Sequence, residues 1–280
     1  MNKEVLNQSF IIIGPVGTGK SLTSWALGKQ TGLPVITTDL LRHCPKTIKQ
    51  IEFVQNKVRE SIVKTKDELN VVKDDGKRKE LEQKLKKLKN DDWVCDRQKE
   101  MRAILPDVPN YGEMGFNGDI SNFANKFGDV AWHFYQKQFE NRMLSCIVDQ
   151  LSTPAIVDMG GGMAVSLDEE YAKIAGEISK QYPDQYKKHM NLNYVGFNII
   201  QKELARCPNV INLVLPKDYK NMEKANGNQN LNDKFVESGQ FEKVANVNIP
   251  VDGLINGNTY NPEVLNQIVK KIQASKDRCM

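Results

Sequence analysis

What this sequence lacks narrows its class first. No apolar run in its 280 residues approaches the roughly 20 that cross a bilayer as a helix, and Met1-Asn2-Lys3-Glu4 lacks an apolar leader-like stretch. The expectation is a cytoplasmic protein with no membrane partner. A charge excess is missing too: 39 Lys+Arg stand against 35 Asp+Glu, a formal +4, too even to argue for a nucleic-acid partner. Cysteine is sparse and unpatterned. Cys44, Cys95, Cys146, Cys207 and Cys279 are odd in number and scattered, without a CxxC pair or a His at ligand spacing. They read as reduced thiols and argue against a structural zinc site. There is no internal repeat. What remains is an ordinary globular composition, with 40% hydrophobic residues to build a core.

The strongest positive signal lies near the start. Phe10-Ile11-Ile12-Ile13 runs into Gly14-Pro15-Val16-Gly17-Thr18-Gly19-Lys20-Ser21, which fits G-x-x-x-x-G-K-[ST], the phosphate-binding P-loop. Gly14, Gly17 and Gly19 permit backbone dihedrals closed to other residues, so successive N–H groups can surround one anion. The helix expected from Gly19 or Lys20 adds its N-terminal dipole. Lys20 can bridge the β- and γ-phosphates of a nucleotide, and the Ser21 hydroxyl can ligate Mg²⁺. The apolar run before the loop reads as a buried strand, and Leu22, Trp25, Ala26 and Leu27 follow at helix-face spacing.

Along the chain, apolar runs alternate with helix-periodic stretches. Residues 9–14 read as a strand, 19–31 as a helix closed by Gly32, and 33–39 as a second strand ending on Asp39. That is the edge where ligands sit in open α/β sheets. Asp39 also reads as the N-cap of Leu40-Leu41-Arg42. From about Pro45 to Trp93 the spacing predicts a helical hairpin around Asp74-Asp75-Gly76. Its Lys84, Lys86, Lys87 and Lys89 form a solvated face or meet an acidic partner. Leu105 to Asn122 reads as a long connection of the lid or binding-loop kind. A helix is expected over 130–151, then a buried strand Ala155-Ile156-Val157-Asp158. Asp158 has two readings: a carboxylate that holds Mg²⁺, or a cap for the glycine turn beside it. Gly160-Gly161-Gly162 offers bare N–H groups at the sheet edge. Helices are expected over 167–192 (broken near Pro183), 199–205, 216–225 and 262–274, strands over 209–215 and 247–251, and a lid hinge at 226–230. The alternation predicts an α/β fold: a parallel, doubly wound sheet with helices on both faces.

Taken in order, these segments resemble the shikimate kinase family of P-loop kinases. Gly14 to Ser21 is similar to the family's Walker A, and Gly32-Leu-Pro-Val-Ile-Thr-Thr-Asp39 to its "GLPFIDTD" segment. Phe123-Ala-Asn-Lys-Phe-Gly128-Asp129-Val-Ala-Trp132-His133 is similar to "IF…GE..FR", and Ile156-Val-Asp-Met-Gly-Gly-Gly162 to "VxATGGG". Asn209 to Leu215 resembles the "VVYL" strand, and Phe241 to Asp252 the "YxEvADxxVd" region. The resemblance spans most of the chain but covers about half its residues, and it implies a parallel doubly wound P-loop kinase sheet in one domain with a helical insertion at about 44–120 and a second insertion or lid region at about 167–240. It implies ATP and Mg²⁺ as cofactors, with Lys20 and Asp39 catalytic. Ser21 and Asp158 would hold the metal, and Asp39, His133 and Gly160–Gly162 would line the site of a small-molecule hydroxyl acceptor. The sequence departs from the pattern at Thr37, where the family has the first acid of its DxD pair, and at Asp158, where it has a small residue. His133 and Ser238 stand where substrate arginines are expected, Gln136 stands at an acid position, and no Arg occurs between Arg206 and Arg278. Arginine's bidentate grip on carboxylates is not copied by His or Ser, so the acceptor is expected to differ from shikimate. Arg42, Arg97, Arg102, Lys224 and other lysines near 217–234 are the cations that could substitute.

Two functions follow. One is transfer of the γ-phosphoryl of ATP to a hydroxyl of a small molecule. The other is a catalytically weak, nucleotide-binding pseudo-kinase whose basic arm at 45–92 binds a protein partner. A nucleic-acid-stimulated ATPase is disfavoured because the basic run carries no interleaved aromatics. A GTPase is disfavoured because no convincing NKxD motif follows the loop.

Overall fold

A computed structural model describes residues 3–111, 125–184, 193, 195–216, 229–256 and 259–276. The described residues fall into two compact units: one drawn from Met1–Asp39 and Tyr111–Met280, the other Leu40–Asn110.

The first unit is built on five parallel strands in the order β2-β3-β1-β4-β5. They are β1 (Phe10–Ile13), β2 (Val35–Thr37), β3 (Ile156–Asp158), β4 (Val210–Val214) and β5 (Val247–Pro250). β1 lies in the middle and is buried along its whole length, as its unbroken apolar sequence demands of a strand covered on both faces. Ile12 and Thr37 both stand opposite Asp158, and Ile13 stands opposite Asn212, so β2 and β3 end together beside the end of β1 while β4 runs on to Val214. The chain leaves β1 toward β2 on one side and β4 toward β5 on the other. Such a reversal opens a crevice at the carboxyl ends, where α/β proteins place ligands.

Helices of this unit include α1 (Lys3–Gln8) and α2 (Lys20–Thr31), which follows β1 and ends at Gly32, whose φ of 74° is left-handed. A short α3 (Thr38–Arg42) carries the chain into the second unit, whose helices are α4 (Ile48–Val71) and α5 (Asp75–Ile104). The first unit resumes with α6 (Asp129–Gln150), α7 (Asp168–Gln181), α8 (Phe197–Leu204), α9 (Gln229–Glu237) and α10 (Gln240–Val244). A small antiparallel pair, β6 (Ile255–Asn256) and β7 (Thr259–Tyr260), precedes the closing α11 (Pro262–Lys276). Leu27, Ile268, Val269 and Ile272 of α2 and α11 bury against Phe10, Ile12, Ile211 and Ile249 to form the core.

The second unit holds an antiparallel α4–α5 hairpin. A Thr47–Gln50 capping box starts α4, and the Asp74 carboxylate accepts the Lys77 N–H at 2.7 Å to start α5. Asp74-Asp75-Gly76 is therefore less a free turn than the first turn of a helix that runs on to Ile104, past the expected end at Trp93. Gln55 donates to Asp92 and Asp96, both at 2.8 Å, and Arg59 pairs with Asp92 at 2.7 Å. Lys84, Lys86, Lys87 and Lys89 are all exposed.

Other differences from the sequence reading are local. β2 stops at Thr37 because Thr38 turns inward and begins a helix, which places Asp39 in a first turn rather than at an N-cap. The short α1, α9 and α10 and the β6–β7 pair are not expected from the sequence; Gly239 at φ 60° is what separates α9 from α10. Residues 112–122 of the expected long connection, 123–124 of the segment compared with "IF…GE..FR", the end of the 167–192 stretch, and 217–228 with Lys224 lie outside the described residues.

Candidate functional site

The eight residues Gly14 to Ser21 connect the end of β1 to the start of α2. Gly14 has φ 140°, and a Cβ there would lie 2.5 Å from the Leu213 carbonyl oxygen, so only glycine fits against β4. Gly17 at φ 91° meets nothing; its glycine serves conformation alone. Gly19, at φ 75°, caps α2 without a side-chain bond, which leaves the helix's first N–H groups facing the loop. The Pro15 carbonyl accepts from Lys20 Nζ at 2.7 Å and from the Thr18 hydroxyl at 3.0 Å. The N–H of the same peptide, on Val16, donates to Asn232 Oδ1 at 3.0 Å.

Lys20 is 9% exposed, and burial lowers its pKa to about 8, opposed by attraction to Asp158 and then Asp39. Asp158 is 3% exposed. Burial raises its pKa to about 6, while the Ser21 hydroxyl and Lys20 pull the other way. Lys20, Ser21, Asp39 and Asp158 thus sit within one another's electrostatic reach, with Asp39 exposed. At neutral pH both buried groups are mainly charged yet near the pH where each changes state, a condition typical of sites that handle charge.

The register pairs Thr37 with Asp158, and Thr38, the first residue of α3, reaches back to that strand end through its side chain. Its buried hydroxyl donates to the Asp158 carbonyl at 3.2 Å and accepts the Gly160 N–H at 2.9 Å. The Gly160 amide is therefore not bare, contrary to expectation; among the described residues it is Gly161 and Gly162 whose amides carry no bond. The carbonyls of Gly160 and Gly162 accept from Met163 and Val165, closing a tight turn. A Cβ on Gly161 would sit 2.7 Å from Val16 Cγ2, and one on Gly162 would sit 2.7 Å from His133 Nε2 and 3.1 Å from the Phe235 ring. Gly161 and Gly162 are glycines because a loop, a histidine and a phenylalanine come this close.

His133 is 2% exposed and lies behind Gly162, with its Nδ1 bonded to the Tyr171 hydroxyl and its ring 4.6 Å from that of Phe235. It supports the glycine turn from below. One turn along α6, Lys137 is fully buried with Glu140 at 3.0 Å and donates to the carbonyls of Gly162 and Met163. Lys137, Thr38 and Asn232 are the contributors that sequence reading missed. A signal existed for Lys137: it falls on the stripe Phe134, Asn141, Leu144, Val148, where a charge has to find a buried partner.

Of the cations considered as substitutes for family arginines, Arg97 pairs with Glu100 at 2.6 Å. Arg102 donates to carbonyls of Cys44, Pro45, Leu105, Pro106 and Val108 within the second unit. Lys234 lies 3.4 Å from Glu170, and Ser238 caps α9 by donating to the Phe235 carbonyl at 2.7 Å. No cluster of three metal-ligating side chains occurs among the described residues. The Ser21 hydroxyl and Asp158 carboxylate are hard oxygen donors of the kind that hold Mg²⁺ when a polyphosphate and water complete its shell.

Comparison with protein-family models finds no matching family, and comparisons with curated proteins and with solved structures find no match.

Proposed function

We propose that this chain is an ATP-dependent phosphotransferase that moves the γ-phosphoryl group to a hydroxyl of a small molecule other than shikimate. The observation that carries this reading is the joining of Lys20, Ser21, Asp158 and Asp39 in one electrostatic neighbourhood at the mouth of a glycine loop. Phosphoryl transfer needs chiefly positioning and charge stabilisation, and this set supplies both. Loop amides of Gly17 to Ser21 bind the phosphates, aided by the α2 N-terminus. Lys20 leaves the Pro15 carbonyl for the β- and γ-oxygens. Mg²⁺, held by Ser21 and Asp158, would neutralise charge on those oxygens. Asp39, exposed at the crevice, orients the acceptor hydroxyl and takes its proton, while the Gly161 and Gly162 amides border the acceptor.

The test is ADP production from Mg-ATP by the purified protein, first with shikimate and then with fractions of a metabolite extract, beside Lys20→Ala. Extract-dependent turnover that vanishes in Lys20→Ala supports the reading. Undiminished turnover in Lys20→Ala removes the loop from catalysis. The second reading, a nucleotide-binding pseudo-kinase with a partner-binding arm, draws on the hairpin's exposed apolar side chains, Phe53, Val63, Val71 and Trp93. ATP binding without turnover, together with partner capture lost on deleting residues 45–92, would put it ahead.

A further inference from the structure

Resting on that reading, we propose that Asn232 is the γ-phosphate contact supplied by α9, and that its carboxamide turns over between an acceptor role without nucleotide and a donor role with it. The Pro15–Val16 peptide is gripped at both ends: Lys20 Nζ lies 2.7 Å from its oxygen and Asn232 Oδ1 lies 3.0 Å from its nitrogen. Lys20 is the residue that such loops send to the β/γ oxygens. Asn232 holds the opposite edge of that peptide, where the Val16 N–H is one of the loop's own amides, so a phosphate the loop takes in competes with Asn232 for that donor.

A phosphate oxygen only accepts hydrogen bonds. As it approaches, the Val16 N–H and Lys20 turn to it, and Asn232 Oδ1, itself an acceptor, is left facing an anion. A half-turn about the Asn232 Cβ–Cγ bond replaces that oxygen with an NH₂ group that donates to the phosphate. No charged residue does both jobs: a carboxylate can accept from Val16 but repels phosphate, and an ammonium can do only the reverse. The backbone of α9 has neighbours that fix its place in either state. Phe235, one turn on, packs at Gly162, and Lys234 pairs with Glu170 at 3.4 Å. Gly161 leaves no room for a Cβ beside Val16 Cγ2, so the glycine turn and α9 both border Val16. This contact is uncharged, and it discriminates: ADP lacks the group that Asn232 would meet.

Asn232→Asp is the decisive variant, because it keeps the Val16 bond, now charge-assisted, and forbids the phosphate bond. Binding of Mg-ATP and Mg-ADP is measured by calorimetric titration for the wild type, Asn232→Asp, Asn232→Ala and Lys20→Ala, together with melting temperatures in the absence of nucleotide. Asn232→Asp is expected to melt no lower than wild type, to bind Mg-ATP at least about tenfold more weakly, and to lose clearly less affinity for Mg-ADP. Asn232→Ala is expected to lose about three- to tenfold for Mg-ATP. Wild-type affinity of Asn232→Asp for Mg-ATP, or equal losses for ATP and ADP, overturns the assignment. If the wild type binds neither nucleotide, the phosphotransferase reading falls and this assignment with it. If the wild type binds, Lys20→Ala does not, and Asn232→Asp matches wild type, only the role of Asn232 falls.

Discussion

Replacing Asp158 by Asn is expected to make the protein more stable at pH 8 while impairing the Mg²⁺-dependent activity proposed for it. Burial holds the Asp158 carboxyl at about 6 rather than 3.8. Each unit is worth about 1.4 kcal/mol, so the ionised carboxylate costs the folded state about 3 kcal/mol at pH 8. The sign follows from the direction of the shift. A raised pKa means the folded protein favours the neutral acid; that contribution is complete below 3.8 and is lost as pH climbs through about 6. Asn mimics the neutral acid at every pH. The pull of Lys20 and Ser21 is already contained in that raised value, so the net gain is up to about 3 kcal/mol. For a chain of this size that raises the melting temperature by about 2–6 °C. Thermal unfolding in Mg²⁺-free buffer at pH 8 and pH 4 is the assay. The increment should be present at pH 8 and nearly absent at pH 4, where wild-type Asp158 is already protonated in the folded state. An Asn variant that melts below wild type at pH 8, or gains equally at both pH values, would refute the reasoning.

Two further outcomes follow from the same site. The pH profile of kcat/KM for ATP turnover should rise through about 6 as Asp158 ionises and fall through about 8 as Lys20 loses its proton; a flat profile from pH 5 to 9 would separate both groups from the reaction. Lys137→Met strands the Glu140 charge in the interior and removes a donor from the Gly162 and Met163 carbonyls, a loss of about 3–5 kcal/mol by denaturant titration. Adding Glu140→Leu should recover part of that loss, and no recovery would mean that the carbonyls, rather than the ion pair, set it.

The parallel sheet was legible because each of its core strands is a short apolar run with glycine or proline at its ends, a signal that survives without knowing the neighbours. The loop was legible for the same reason: glycine spacing encodes backbone shape locally. His133 shows where such reading stops. Its identity said histidine in place of an arginine, but its burial behind Gly162 depends on Tyr171 and Phe235, which are far away in sequence and meet it only in the folded unit. Thr38 looked like a strand residue because nothing in its neighbourhood announces that its hydroxyl will bridge Asp158 and Gly160. Asn232 stands in a polar run that any loop could have, and its bond to Val16 spans 216 positions. Periodicity reports the faces of single elements. Contacts between elements, which made the site, leave little trace in it.

β2 and β3 lie side by side, yet the chain between them passes through the whole of the Leu40–Asn110 unit. Closing a loop loses entropy only as the logarithm of its length, about 0.6 kcal/mol for each doubling. Carrying about 70 extra residues at that point therefore weakens the strand pairing by less than about 1 kcal/mol, comparable to one modest hydrogen bond. The sheet has almost no stake in what its excursion contains. Length and surface chemistry in the hairpin can drift across generations while Thr37 stays opposite Asp158, so an organism can retune what this protein meets without disturbing the floor on which its charges are arranged.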